Sequence, residues 1–144
     1  MNANEFLSLM KTRGATIYPP ASRRDIELAN SALQSRRCAM LPAILSDLYT
    51  RASAINIGNG YIFPPIEVSR GARFPIPSIV DININLPTNP MLRGKTIFGR
   101  NDLFWFAFDA FGVFYMLDNL NLRILRKYDD PYRAMADCLI AGKF

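Results

Sequence analysis

Hydrophobic residues in the first third of the chain recur at intervals of three and four, which is the spacing of an amphipathic helix. This pattern predicts helices over 2–13, over 22–36 and after Pro42, each with one apolar face. Residues 15–21 include two consecutive prolines, so we expect an extended connector there. The fold is therefore expected to begin with three helices.

The middle of the chain carries weaker periodicity and more turn residues. Asn59 and Gly60 are typical of a turn with positive φ, and 61–63 predicts a short strand. A second, weaker strand is predicted at 66–68. After a proline-rich stretch, a serine is placed to cap a short helix over 79–85.

The strongest strand signal lies in the last third of the chain. Runs of β-branched and aromatic residues predict strands at 96–98, 103–108, 113–117 and 122–128. The segment 103–108 is apolar on both faces and is therefore expected to be a central strand. Asp109 to Gly112 has the composition of a hairpin turn, and Pro131 is expected to open a final helix.

These elements predict a single α+β domain over residues 1–144. We expect a mainly antiparallel, twisted sheet of about five or six strands, with N-terminal helices and a C-terminal helix packed on it. A length of 144 residues is enough for one sizeable core. The first residues lack the pattern of an export signal, and the longest apolar run, 103–117, is too short and too interrupted for a membrane helix. A cytoplasmic location and no membrane partner are therefore expected.

The residue types present restrict the chemistry that the chain can perform. It contains no histidine, which excludes catalytic triads, Cys-His nucleophiles and the common zinc sites. Cys38 and Cys138 lie far apart and are predicted to be reduced, buried thiols. Asp109 and Asp118 flank the predicted hairpin and leave carboxylate chemistry open, although a turn accounts for Asp109. We therefore expect no catalytic residue, no cofactor and no metal.

Charge and aromatic content raise the question of a binding partner. The formal net charge is +5 and the basic residues are spread along the chain. Rings between 104 and 115 would suit base stacking, but their density on a two-faced strand favours packing in the core. Five basic residues are expected on loops around the sheet, where they are either solvated or contact an acidic partner: Arg70, Arg73, Arg93, Lys95 and Arg100.

Short motifs then appear in a recognisable order. Leu41-Pro42 begins a helix, Asn59-Gly60 follows it, and an aromatic hairpin closes the series. The hairpin motif consists of Trp105, Phe108, Asp109, Gly112 and Asp118. This order resembles the SUKH superfamily, the Smi/Knr-like family of bacterial immunity proteins and fungal cell-wall regulators.

The resemblance implies a non-enzymatic protein-binding domain. It would either neutralise a cognate bacterial toxin by covering its active surface or serve as a more general adaptor. A nucleic-acid-binding module that uses a dispersed basic surface remains the alternative. An enzyme that uses carboxylates or an arginine-lined pocket is the third hypothesis, and the oligomeric state is left open.

Overall fold

The computed structural model describes residues 1–69, 75–86 and 89–141. Its helices are α1 (Ala3–Thr12), α2 (Arg23–Ser35), α3 (Ala43–Tyr49), α4 (Ile79–Asn85) and α5 (Pro131–Ile140), with a short 3-10 helix at Pro90–Leu92. Its strands are β1 (Thr16–Ile17), β2 (Ile55–Ile57), β3 (Gly60–Ile62), β4 (Lys95–Arg100), β5 (Phe104–Asp109), β6 (Phe114–Asp118) and β7 (Ile124–Tyr128).

The strands form one sheet in which spatial order follows sequence order. Each strand from β1 to β7 pairs antiparallel with the next one. The predicted α+β class is therefore confirmed, together with its antiparallel sheet, N-terminal helices and C-terminal helix. The described sheet has seven strands and not five or six. Short strands explain the difference, because β1 and β2 have only two and three residues and show no periodicity.

Local capping positions most of the helices where the sequence predicts them. The side chains of Asn2, Ser22 and Ser78 each accept a hydrogen bond from the backbone amide three residues later. Pro42 takes the N-cap position of α3 and Leu41 beside it is buried. These helix starts are set by neighbours in sequence, which is why the pattern reveals them.

The Asn59-Gly60 turn differs from the prediction. Positive φ is found at Gly58, with φ of 53°, whereas Gly60 lies buried in β3. A Cβ atom on Gly60 would lie 2.7 Å from the carbonyl oxygen of Cys138 in α5. The glycine at 60 is required because the last helix approaches the strand closely, and not because of turn geometry.

The strand predicted at 66–68 is wrong. Among the described residues, only Val68 of this segment pairs, in an isolated bridge with Ile76 through two backbone hydrogen bonds of 3.0 and 2.7 Å. Pro64 and Pro65 precede this segment and lack amide donors, so a ladder cannot continue through them.

Helix α5 covers one face of the sheet. Successive residues of a strand point to opposite faces, and Phe106, Phe108 and Phe114 share the face on which α5 lies. All three rings are fully buried. Asp137 of α5 binds this face by accepting hydrogen bonds from the Tyr128 hydroxyl and from an arginine of β7. We call this side of the sheet the helix face.

Two further contacts complete the helix face. Phe98 lies at the register shift of β4, where its ring meets the rings of Phe106, Phe108 and Phe114. Phe6 of α1 packs on α5 with ring centroids 5.3 Å apart. None of the helices in the described ranges has the length and apolar character that a membrane crossing needs.

Candidate functional site

The opposite face of the sheet carries a different set of side chains. Trp105 points away from the helix face because it alternates with Phe106 along β5. Its cross-strand neighbours are Arg100 on β4 and Leu117 on β6, and Arg100 in turn pairs with Tyr61 on β3. A row of side chains therefore crosses four strands on this face.

A second row runs parallel to the first. In this row, Tyr115 of β6 pairs with Ala107 of β5 and with Lys127 of β7. Lys95 and Asp109 form a further cross-strand pair on the same face, nearer the β5–β6 turn. Except for the exposed Lys127, the aromatic and basic side chains of the two rows are partly exposed. We call this surface the aromatic–cationic face and define it by Tyr61, Lys95, Arg100, Trp105, Tyr115 and Lys127.

Two cations on this face lie over aromatic rings. The guanidinium carbon of Arg100 is 4.7 Å from the centroid of the Trp105 ring, and the Nζ of Lys95 is 5.5 Å from that of Tyr115. Both distances fall within the range of a cation–π interaction. Among the described residues, neither cation takes part in an ion pair with a carboxylate. Both cations therefore lie against the π face of a ring.

Asp109 organises the end of the face nearest the β5–β6 turn. Its carboxylate accepts hydrogen bonds from the backbone amides of Phe111 and Val113 and from the Tyr115 hydroxyl, the last at 2.7 Å. Burial disfavours its ionised form, but these bonds and nearby Lys95 outweigh burial and hold its pKa below the ordinary value. Burial, with the Asp109 bond and charge, raises the pKa of Tyr115 to about 12.

The turn beside Asp109 presents an exposed ring. Phe111 is 93% exposed, although the hydrophobic run predicts that rings between 103 and 117 pack inside. That expectation holds for Phe106, Phe108 and Phe114 and fails for Phe111. It holds only in part for Phe104, Trp105 and Tyr115, which are partly exposed. The signal missed is positional: Phe111 precedes Gly112, which has φ of 78°, inside a tight turn whose side chains point outward.

A small cavity adjoins the other end of the face. It has a volume of about 260 Å³ and lies between the β3–β4 region and the segment from Pro75 to Pro77. Tyr61 and Arg100 form part of its wall. Asn59 also lines it, with its amide held by the Asp102 carboxylate at 2.8 Å. The predicted motif residue Asn59 therefore borders the same surface as Arg100.

The two acidic residues of the hairpin do not meet. Asp118 accepts hydrogen bonds from the amides of Leu120 and Asn121, which hold its pKa below the ordinary value. Asp118 of β6 pairs with Phe104, which lies at the opposite end of β5 from Asp109. Five strand residues separate the two positions by about 16 Å, which exceeds the spacing of a glycosidase carboxylate pair. Both residues instead order turns.

The predicted basic residues divide into separate groups. Lys95 and Arg100 lie at opposite ends of β4 on the aromatic–cationic face. Arg93 lies outside that face and lines a separate cleft that also includes Lys95. Arg70 and Arg73 lie outside the described residues.

The cysteines are free, as predicted, but only one is buried. Cys138 is 1% exposed, and its thiol donates to the backbone oxygen of Tyr61 at 3.3 Å. Cys38 is partly exposed because it follows α2 at the rim of a cleft. Within the described ranges, no three Cys, Asp or Glu side chains cluster as a metal site would require.

Comparisons with known proteins identified no relative of this chain. No family model, no curated protein and no solved structure matches the chain.

Proposed function

We propose that this chain is a non-enzymatic protein-binding domain and that the aromatic–cationic face is its contact surface. The observation that carries the proposal is the row formed by Tyr61, Arg100 and Trp105 on a sheet face opposite α5. Tryptophan, tyrosine and arginine are the residues that most often dominate the binding energy of protein interfaces. Phe111 extends the surface with an exposed ring at the β5–β6 turn.

Charge identifies the kind of partner that this surface suits. Lys95, Arg100 and Lys127 face the same side as the Asp109 carboxylate, and Asp102 lines the cavity beside Arg100. A partner with an acidic surface would complement this excess of positive charge and would associate faster at low salt. The proposed partner is therefore an acidic protein surface.

The SUKH resemblance suggests a specific role for such an interaction. As an immunity protein in the cytoplasm, the domain would cover the active surface of a cognate toxin, over a total interface on the order of 1,600 Å². Occlusion needs no catalytic group on the binding domain. The adaptor role requires the same face but a different partner.

Nucleic acid is the second candidate, because rings and cations on one sheet face also suit base stacking. Arg100 weighs against it. Its guanidinium already lies over the Trp105 ring, so a base could stack on that side only by displacing it. A protein carboxylate, in contrast, can bind the guanidinium where it lies.

The test measures binding between the full chain and the toxin encoded beside its gene, by titration calorimetry. Trp105→Ala is expected to weaken binding about 30-fold or more, as loss of a hot-spot residue does. Arg100→Ala and Phe111→Ala should each weaken it about tenfold. Matched controls are Arg24→Ala and Leu28→Ala, an exposed cation and an exposed apolar residue on α2, which should leave affinity unchanged.

Two results would overturn the proposal. One is Trp105→Ala binding as tightly as the wild type, which would place the contact elsewhere. The other is stronger binding of a short single-stranded RNA than of the toxin at physiological salt, which would favour the nucleic-acid alternative.

A further inference from the structure

A second basic region lies outside the row that contains Trp105. It is an open cleft of about 480 Å³ between the end of α2, helix α4, the 3-10 helix and the start of β4. Four cationic side chains line it: Arg36, Arg37, Arg93 and Lys95. A volume of this size accommodates a small-molecule ligand.

The described lining of the cleft includes no Asp or Glu side chain. Lys95 also lies near Asp109 on the aromatic–cationic face, whereas the three arginines have no such carboxylate identified in the described part of the chain. Arg36, Arg37 and Arg93 are absent from the ion pairs found in the described part of the chain, and Lys95 Nζ donates to the Met91 backbone oxygen at 3.1 Å. Four like charges around one space repel one another, so a bound anion with several charges would relieve that repulsion.

The four cations lie at or just beyond the ends of two separate helices. Arg36 and Arg37 follow the C-terminus of α2, where positive charge complements the helix dipole. Arg93 is the C-cap of the 3-10 helix and Lys95 donates to the Met91 carbonyl of that helix. Two helix ends from separate parts of the chain therefore direct their cations to one cleft. Moreover, Arg37 holds φ of 59° at a helix end where glycine is the usual residue. The chain thus keeps an arginine at the cleft in a backbone conformation that disfavours it.

The rest of the lining includes the polar residues Asn83 and Asn89 and an apolar wall. Ile84, Leu86 and Leu92 contribute side chains between the cations. A free inorganic anion would leave this part of the cleft unused, whereas a phosphate ester with an apolar or aromatic body would fill both parts. We propose that the cleft binds a small polyphosphate ester of the nucleoside triphosphate class, with its phosphates on the arginines and its body on the apolar wall. This site is independent of the proposed partner surface except for Lys95.

Cys38 provides a reporter at the site. Its thiol lines the cleft and is partly exposed, whereas Cys138 is 1% exposed and serves as an internal reference. Burial raises the pKa of the Cys38 thiol and Arg36 partly opposes that shift. Alkylation by neutral iodoacetamide is therefore followed at mildly alkaline pH, by mass spectrometry of the full chain.

The experiment compares the alkylation rate of Cys38 with and without millimolar ATP at constant ionic strength. In the wild type, ATP should slow alkylation about threefold or more. The double variant Arg36→Gln with Arg37→Gln should lose this protection. The matched control, Arg23→Gln with Arg24→Gln, removes the same charge from the other end of α2 and should keep it.

Arg93→Gln provides a second variant on a separate element, and it should also weaken protection. Unchanged Trp105 fluorescence in each variant will show that the fold is intact. The proposal is overturned if ATP does not protect the wild type, or if the control loses protection as fully as the cleft variant. Equal protection by pyrophosphate at the same concentration would overturn the role of the apolar wall.

Discussion

The two faces of the central sheet use aromatic residues in different ways. On the helix face, the rings of Phe98, Phe106, Phe108 and Phe114 contact one another and are fully buried. On the aromatic–cationic face, Trp105 and Tyr115 remain partly exposed beneath cations.

The two faces differ in the groups that contact each aromatic ring. Phenyl rings of the helix face meet other apolar groups, so their contribution is to stability. The indole and phenol rings of the other face carry a polar atom or meet a charge, and these groups tolerate water. Aromatic residues along one strand therefore lie in two different environments in this protein.

The largest expected effect is on the helix face. Phe98→Ala removes a ring that contacts three other rings, and it should lower the free energy of unfolding by about 3–5 kcal/mol. Trp105→Ala, on the other face, should cost about 1–2 kcal/mol, because the ring is already partly exposed. Urea unfolding of both variants measures the difference. Equal losses would show that the two faces do not differ in their contribution to stability.

A smaller effect is expected where α5 approaches β3 on the helix face. Gly60→Ala places a Cβ against the Cys138 carbonyl and should cost about 2–3 kcal/mol through overpacking. Gly58→Ala is the matched control, since a Cβ there meets nothing within 4 Å and only its φ of 53° is unfavourable. We expect about 1 kcal/mol for the control. A control as damaging as Gly60→Ala would argue against the close approach of α5.

The smallest stability effect concerns Asp109 on the aromatic–cationic face. Its pKa is lowered on folding, so its ionised form stabilises the fold at neutral pH, and that contribution is lost as pH falls through the folded pKa. Asp109→Asn should therefore cost about 1 kcal/mol at neutral pH, and the difference from the wild type should shrink below about pH 4. Unfolding measured across this pH range tests the sign. A difference that grows in acid would contradict it.

Local signals in the sequence predicted much of the fold. Ser22 and Ser78 cap helices through side chains three residues from their partners, and Pro131 opens the last helix. The assignment of faces could not be predicted in this way. Residues 103–108 are apolar on both sides, and only the docking of α5 decides which side is covered.

The candidate site was predictable only in part. Arg100 and Lys95 were expected on loops around the sheet, and this was wrong because both lie within β4. Their positions over Trp105 and Tyr115 depend on strand register. The shift between Ile97 and Gly99 changes that register, and no short-range pattern reveals it. The basic cleft likewise assembles residues from separate parts of the chain.

The central claim is that the aromatic–cationic face is open in the free protein and covered by an acidic protein partner. Trp105 tests it directly, because it is the only tryptophan in the chain. Iodide should quench its fluorescence more effectively than caesium does, since the nearby cations attract the anion. Saturation with the toxin encoded beside the gene should then reduce iodide quenching about twofold or more. Iodide quenching that is negligible in the free protein, or unchanged in the complex, would contradict the account.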